Sequence, residues 1–318
     1  MLKVKYSPPD VLEIDSSEAN ESPTTEIYKK VVEYVLKTPD LKTSDIKTSV
    51  LKTPMSFSLS VVDQEIDADL CCSLNEMSEQ SEKGSYTPQI KRRLCSLWGM
   101  LEAKTISKVL EDNTDFSVKI PKAVWRGTTT GMDQMYRNKE LHKYTRLELI
   151  RLSKLYPENL NAKFTGLVQY VEKHSEKFLH YIDLNTIHLN KMDKLALLKY
   201  KYIICADGNV ASYSFFWGLA SGSVVIKQDS PHKQYFEVQE FCPHEIIQDQ
   251  VHYVKVKRDF SDLMEKINWL KNNENKAKEI AENAKEYARK YFNLETFKGQ
   301  FYDVLSSIRS PHYFNLKD

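Results

Sequence analysis

The sequence predicts an α/β fold whose second half carries a parallel sheet covered by helices on both faces. Three observations predict it. Short apolar, β-branched runs recur at KAVW (122–125), KYIIC (201–205), SVVIK (223–227) and VHYVKV (251–256). Between them lie stretches such as TRLELIRLSKLY, where apolar residues return at helical spacing. At Asp207-Gly208-Asn209 an apolar run breaks on three turn-prone residues before a helical pattern resumes. Strands that alternate with helices pair in parallel, because each crossover helix returns the chain to the same edge of the sheet.

From the N-terminus, the first 55 residues read as polar and turn-rich, with a helical stretch at TEIYKKVVEYVL. Leu-Lys-Thr then recurs three times within LKTPDLKTSDIKTSVLKTP, too short a repeat for a solenoid. Residues Met55 to Asp63 read as a strand, QEIDADLCCS as a loop and SEQSEKGSYTP as an exposed connector. IKRRLCSLWGMLEAKTISKVL has helical spacing. At Pro121 the texture changes, and KAVWRGTTTG pairs a strand with a Gly/Thr loop. A helix follows with Thr145 as its expected N-cap. Strand, helix and strand come next at YKYIICADGN, ASYSFFWGLAS and GSVVIKQDSP, then a strand at VHYVKVKRDF. The next helix is expected to open on Ser261 and to bury Leu263, Ile267 and Leu270 on one face. KAKEIAENAKEYARKYF and LETFKGQFYDVLSSI close the chain as helices.

Composition narrows the function classes. A chain of 318 residues with 41% hydrophobic content can bury two cores. Its 45 basic and 44 acidic residues leave a net charge of +1, so no global field draws it to nucleic acid or an anionic membrane. The N-terminal residues lack the apolar core of a signal peptide, and no run reaches the ~20 apolar residues of a membrane span. A soluble, cytoplasmic protein is expected. Cys71, Cys72, Cys95, Cys205 and Cys242 form no CxxC pair and read as reduced thiols.

Three stretches could carry chemistry. Asp207-Gly208-Asn209 sits where a parallel strand hands over to a helix, the usual place for a ligand in such sheets. A helix beginning near Ala211, with Ser212 in its first turn, would aim free N–H groups there, which suits a phosphate. The same residues suit an ordinary βα turn capped by Asn209 or Asp207, and residue chemistry alone does not choose. In Trp125-Arg126-Gly127-Thr128-Thr129-Thr130-Gly131, an arginine at a strand end precedes a glycine that permits close backbone approach. Arg146 lies at the start of the following helix; both guanidinium groups could take phosphate oxygens, or could simply serve as structural charges. Asp63, Glu65, Asp67 and Asp69 form an acidic loop after a strand, where any one could act as a general base. No GxGxxG or Walker motif occurs.

Several blocks resemble glycosyltransferase family 90, the family of protein O-glucosyltransferases and capsule-type xylosyltransferases. They are AVWRGTTTG, RLELIRLSKLYPENLNAKFTG, KYKYIICADGNVAS, LASGSVVIKQDSP and VHYVKVKRDFSDLMEKINWL, collinear from about Lys122 to Phe292. The resemblance implies a GT-B architecture, two Rossmann-like domains facing across a cleft. An acceptor-side domain would span 1–120, a UDP-sugar-binding domain 121–292, and a C-terminal helix at 293–318 would pack back on the first.

It further implies an inverting transfer without a metal or other cofactor, from a UDP-sugar to a hydroxyl of a glycan or protein. UDP-xylose is expected ahead of UDP-glucose, by analogy with members that lack a signal peptide. Asp69 is the expected base, with Asp67 the runner-up. Arg126, Gly127, Thr128, Arg146, Asp207, Gly208, Asn209, Ala211, Ser212 and Lys227 are the expected donor-binding residues. Lys257 matches a lysine of the family's last block. The chain departs from the family at Ser214, where members often carry an arginine, and the proline expected after the base is absent. Those departures keep a second reading in view, a non-catalytic glycan- or nucleotide-binding protein on the same fold.

Overall fold

The computed structural model describes residues 2–7, 11–15, 55–59, 97–132, 139, 143–178, 193–208, 211–230, 233–239, 242, 244–297 and 299. The chain divides into two compact units. The first combines Met1–Lys104, Pro231–Ile246 and Tyr291–Asp318; the second combines Thr105–Ser230 and Ile247–Lys290. The second unit thus begins ahead of Pro121, and Phe116 is part of its core. The expected helix at TEIYKKVVEYVL, the acidic loop with Asp67 and Asp69, and Cys71, Cys72 and Cys95 lie outside the described residues.

In the first unit, strands β1 (Leu2–Ser7), β2 (Val11–Asp15) and β3 (Met55–Leu59) form an antiparallel sheet in the order β2-β1-β3. The sequence reading anticipated β3 and missed β1 and β2. Their signal is the alternation of Leu2, Val4 and Tyr6 with Lys3, Lys5 and Ser7, a period of two.

Helix α1 (Leu97–Leu110) leads into the second unit, where β4 (Ile120–Thr128), α2 (Thr145–Leu155), β5 (Leu160–Gly166), α3 (Gln169–Lys173), α4 (Lys194–Leu197) and β6 (Tyr200–Cys205) follow. Then come α5 (Ser214–Leu219), β7 (Val224–Gln228), β8 (Val254–Val256), α6 (Leu263–Asn272) and α7 (Glu274–Tyr291). The strands form one sheet in the order β5-β4-β6-β7-β8, with parallel pairing throughout. The expected α/β parallel sheet is therefore present in this unit.

Alternation along the strands divides the core into two faces. Ala123, Trp125, Tyr202, Ile204, Val224 and Ile226 join one cluster with Leu149 and Leu152 of α2 and Ile280 of α7. Leu263, Ile267 and Leu270 of α6 are fully buried in the same cluster, as their spacing predicted. Each such side chain contributes roughly 1.5–3 kcal/mol by leaving water. On the other face α5 lies close to the sheet, and a side chain at Gly218 would crowd Val225 Cγ2 at 3.1 Å. Two expected caps differ. Tyr144 rather than Thr145 is the N-cap of α2, without a side-chain cap bond. Asp262 holds that position in α6, because Ser261 is drawn into a turn by the Asp259 carboxylate.

Lys119 is buried at the edge of the sheet where the strands begin. Its Nζ donates to Ser221 O at 3.0 Å and Ser223 Oγ at 2.9 Å. Burial pushes its pKa down to about 8, with Asp112 opposing that shift and Lys285 adding to it. An unfolded lysine titrates near ~10.4, so between about 8 and 10.4 the unfolded chain binds more protons than the folded one. Stability from this group therefore rises with pH across that window and is lost as pH falls back through about 8. Urea titrations from pH 7 to 10 should show the wild type gaining up to about 3 kcal/mol relative to Lys119→Met. Parallel curves for the two proteins would remove Lys119 as the source.

Candidate active site

The chain leaves β4 through α2 on one face to reach β5, and leaves β6 through α5 on the other face to reach β7. The order of strands thus reverses between β4 and β6. In open α/β sheets ligands bind beyond the C-terminal ends of the strands at such a switch point. Here the two strands also part company. Their ladder ends at Val124↔Ile203, while β4 runs on to Thr128 paired only with β5.

Arg146, in the first turn of α2, fills the gap. Its Nη1 donates to Thr128 O at 2.8 Å, its Nη2 to Ala206 O at 3.1 Å and its Nε to Asp207 O at 2.8 Å. The guanidinium lies 5.5 Å from the Trp125 ring centroid, a cation–π distance. One buried side chain thereby ties the diverging strand ends through three charge-assisted bonds. Gly208 sits against it. A Cβ there would lie 2.9 Å from Arg146 Nη2 and 3.1 Å from Thr130 Cγ2, so the turn has no room for a side chain.

Gln228, at the end of β7, holds the same turn from the other side. Its Oε1 accepts from Asp207 N at 2.9 Å; its Nε2 donates to Thr145 Oγ1 at 2.9 Å and Arg258 O at 2.5 Å. Sequence reasoning missed this residue. The available signal was a polar side chain closing a wholly buried strand. Asp207 spends its carboxylate inside the protein, accepting from Ser212 N at 3.2 Å and from Ser230 Oγ. It does not cap the following helix, a role the sequence alone allows: the N-cap there is Tyr213, with no side-chain cap bond.

Among the expected donor-binding residues, Thr128, Arg146, Asp207 and Gly208 therefore meet at the switch point. Thr128 Oγ1 and Thr130 Oγ1 share a 2.6 Å bond there, and Tyr144 donates its hydroxyl to Thr130 O at 3.0 Å. Arg126 is not brought to Arg146. It follows Trp125 in β4, so its side chain takes the opposite face of the sheet. Its guanidinium donates to Trp125 O and Asn161 O, both at 2.7 Å, and to Asn161 Oδ1 at 3.0 Å. Burial lowers its pKa from the usual value. Gly127 leaves room for the ring of Trp125, which folds over it.

Lys227 precedes Gln228 and so faces the α5 side, where its Nζ lies 5.2 Å from the Phe215 ring centroid. The helix expected near Ala211 starts at Ser214 and has six residues. Ala211 is buried and Ser212 stays in the turn, its Oγ 2.7 Å from Ser214 Oγ, which donates to Cys205 Sγ at 3.3 Å. So short a helix offers little dipole for a phosphate. Asn209, Asp67 and Asp69 lie outside the described residues.

Comparison with known proteins bears directly on this arrangement. Human protein O-glucosyltransferase 3 is 34% identical over 164 residues, covering 50% of this chain and 28% of that protein. Protein O-glucosyltransferase 2 of Danio rerio is 34% identical over 210 residues, covering 61% of this chain and 37% of that protein. The chain thus matches about a third of the length of these relatives. Among solved structures, Anabaena HepE in complex with UDP-glucose is similar with a TM-score of 0.43 at 13% identity, over 89% of this chain and 77% of that one. No helix among the described residues is long and apolar enough to cross a membrane. The family described as Glycosyl transferase family 90 matches residues 95–307, which include every strand and helix around the switch point, and the chain belongs to that family.

Proposed function

We propose that the chain is a UDP-sugar-dependent glycosyltransferase that moves a sugar to a hydroxyl of a glycan or protein acceptor. The observation that carries this reading is the convergence of the family's blocks. WRGTTTG, the RLELI helix and the YIICADG strand are separated in sequence. Yet Thr128, Arg146, Asp207 and Gly208 from those three blocks meet at the strand ends of one switch point. A switch point is where a nucleotide is held in open α/β sheets. In the proposed reaction the acceptor hydroxyl loses its proton to a carboxylate and its oxygen attacks the anomeric carbon. The bond to the diphosphate breaks with inversion, giving a β-linkage and UDP.

The donor is proposed to be UDP-xylose or UDP-glucose. The names of the relatives favour glucosyl transfer, so both sugars belong at the head of a donor panel. Release of UDP from each UDP-sugar, with and without acceptor, tests the function. Turnover of at least one donor is expected. UDP binding with no release from any donor would favour the non-catalytic reading that Ser214 motivates. The transfer is proposed to need no metal. Asp67-Ala68-Asp69 nonetheless has the spacing of a carboxylate pair able to chelate a divalent cation. The panel is therefore run with EDTA and with Mn2+; activity that survives EDTA unchanged is the expected result.

A further inference from the structure

Arg146 is the residue that a diphosphate-binding role would claim first, yet three of its N–H groups are taken by main-chain carbonyls. Those carbonyls belong to the ends of β4 and β6 beyond the point where their ladder stops. The guanidinium therefore replaces the missing ladder and fixes the separation of the two strand ends. Its Nη2 also closes one side of Gly208, with the Thr130 methyl closing another. Gly208 carries no side chain and makes no hydrogen bond among the described residues, so its amide N–H is unspent there. A pinned glycine with an open N–H suits the oxygens of a nucleoside diphosphate, because the backbone itself can approach them.

We infer that Arg146 is a positioning residue for the donor, acting through the Gly208 turn rather than as the ligand of the diphosphate. The inference rests on the function proposed above. Arg146 holds the carbonyls of Ala206 and Asp207, and so fixes where the Gly208 amide points. Gln228 holds Asp207 N from the other side, so the turn is clamped at both its donor and its acceptor. Lysine at 146 would keep the charge but has a single ammonium, which cannot span Thr128 O, Ala206 O and Asp207 O with a planar fork.

The test is a double-mutant cycle on the full chain, read as the dissociation constants of UDP and of uridine. Gly208→Ala puts a methyl against Nη2, while Arg146→Lys removes Nη2. If Arg146 acts through Gly208, the two changes interact. Each single variant is expected to weaken UDP binding about tenfold. The double variant should fall about tenfold short of the product of the two losses, within the range of coupling seen for residues in contact. A direct phosphate ligand gives a different pattern: losses of UDP affinity that multiply within about twofold, with uridine, which carries no phosphate, serving in either case as the control that the nucleoside site is intact. That result overturns the inference while leaving the functional reading intact. If the wild type binds no UDP, both fall. Thermal melts accompany every variant. Should Arg146→Lys not fold, the cycle is run with Arg146→Gln, which keeps one donor nitrogen; if neither folds, Arg146 is a purely structural residue and the inference is overturned.

Discussion

Replacing Gln228 by leucine is expected to destabilise the second unit by about 2–4 kcal/mol, although leucine is the more hydrophobic residue. The carboxamide is buried and satisfied at both ends, by Asp207 N on one side and by Thr145 Oγ1 and Arg258 O on the other. Leucine would leave those partners, each now in a part-buried hydrogen bond, without one. Orphaned buried groups cost roughly 1–3 kcal/mol each, and the gain in apolar burial is small because the strand is already covered. Urea unfolding followed through the buried Trp125 and Trp217 would read the loss. A change below about 1 kcal/mol would mean that the turn relaxes and finds other partners. Gln228→Glu supplies a second readout. Its carboxylate would face the Arg258 carbonyl without a donor, so its pKa should rise on folding. A raised folded pKa contributes stability that is present at low pH and lost as pH rises, so this variant should regain stability relative to wild type on acidification.

The same residues explain what could be read from the sequence. β6 and β7 announce themselves as apolar runs buried on both faces, which is what a central parallel strand requires, while β4 is buried only over Ala123–Trp125 and β8 is an edge strand with Lys255 exposed. β5 is an edge strand of the sheet, and its alternation of Leu160, Ala162 and Phe164 with Asn161, Lys163 and Thr165 is muted by polar residues. It passed unnoticed inside a block that begins as a helix. The separation of Arg126 from Arg146 was legible in principle. Neighbours in a strand point to opposite faces, so an apolar Trp125 on one face commits Arg126 to the other. The role of Arg146 was not legible, because it depends on where the β4–β6 ladder stops. The late start of α5 was not legible either: Asp207 reaches five residues ahead to Ser212 N, and the helix begins at Ser214. Sequence spacing marks that a strand ends; tertiary geometry decides which of its partners are used up.

Converting Asp69 to asparagine is expected to leave UDP binding unchanged and to lower transfer by roughly two to four orders of magnitude, the usual contribution of a positioned general base. An acceptor hydroxyl has to lose its proton as its oxygen attacks the anomeric carbon. Asparagine matches aspartate in shape but cannot take that proton. The resemblance of SLSVVDQEIDADLCCS to the family's base-bearing block selects Asp69, with Asp67 next. Asp67→Asn is the internal control and should keep most of the activity. The reverse outcome, a dead Asp67→Asn beside an active Asp69→Asn, moves the base by two residues without disturbing the proposed reaction. A carboxylate that held a divalent cation instead would betray itself in the wild type, whose turnover would collapse in EDTA and return with Mn2+. The pH profile separates the remaining cases: kcat/KM of the wild type should fall on acidification as the base protonates, and the residual rate of Asp69→Asn should lose that limb.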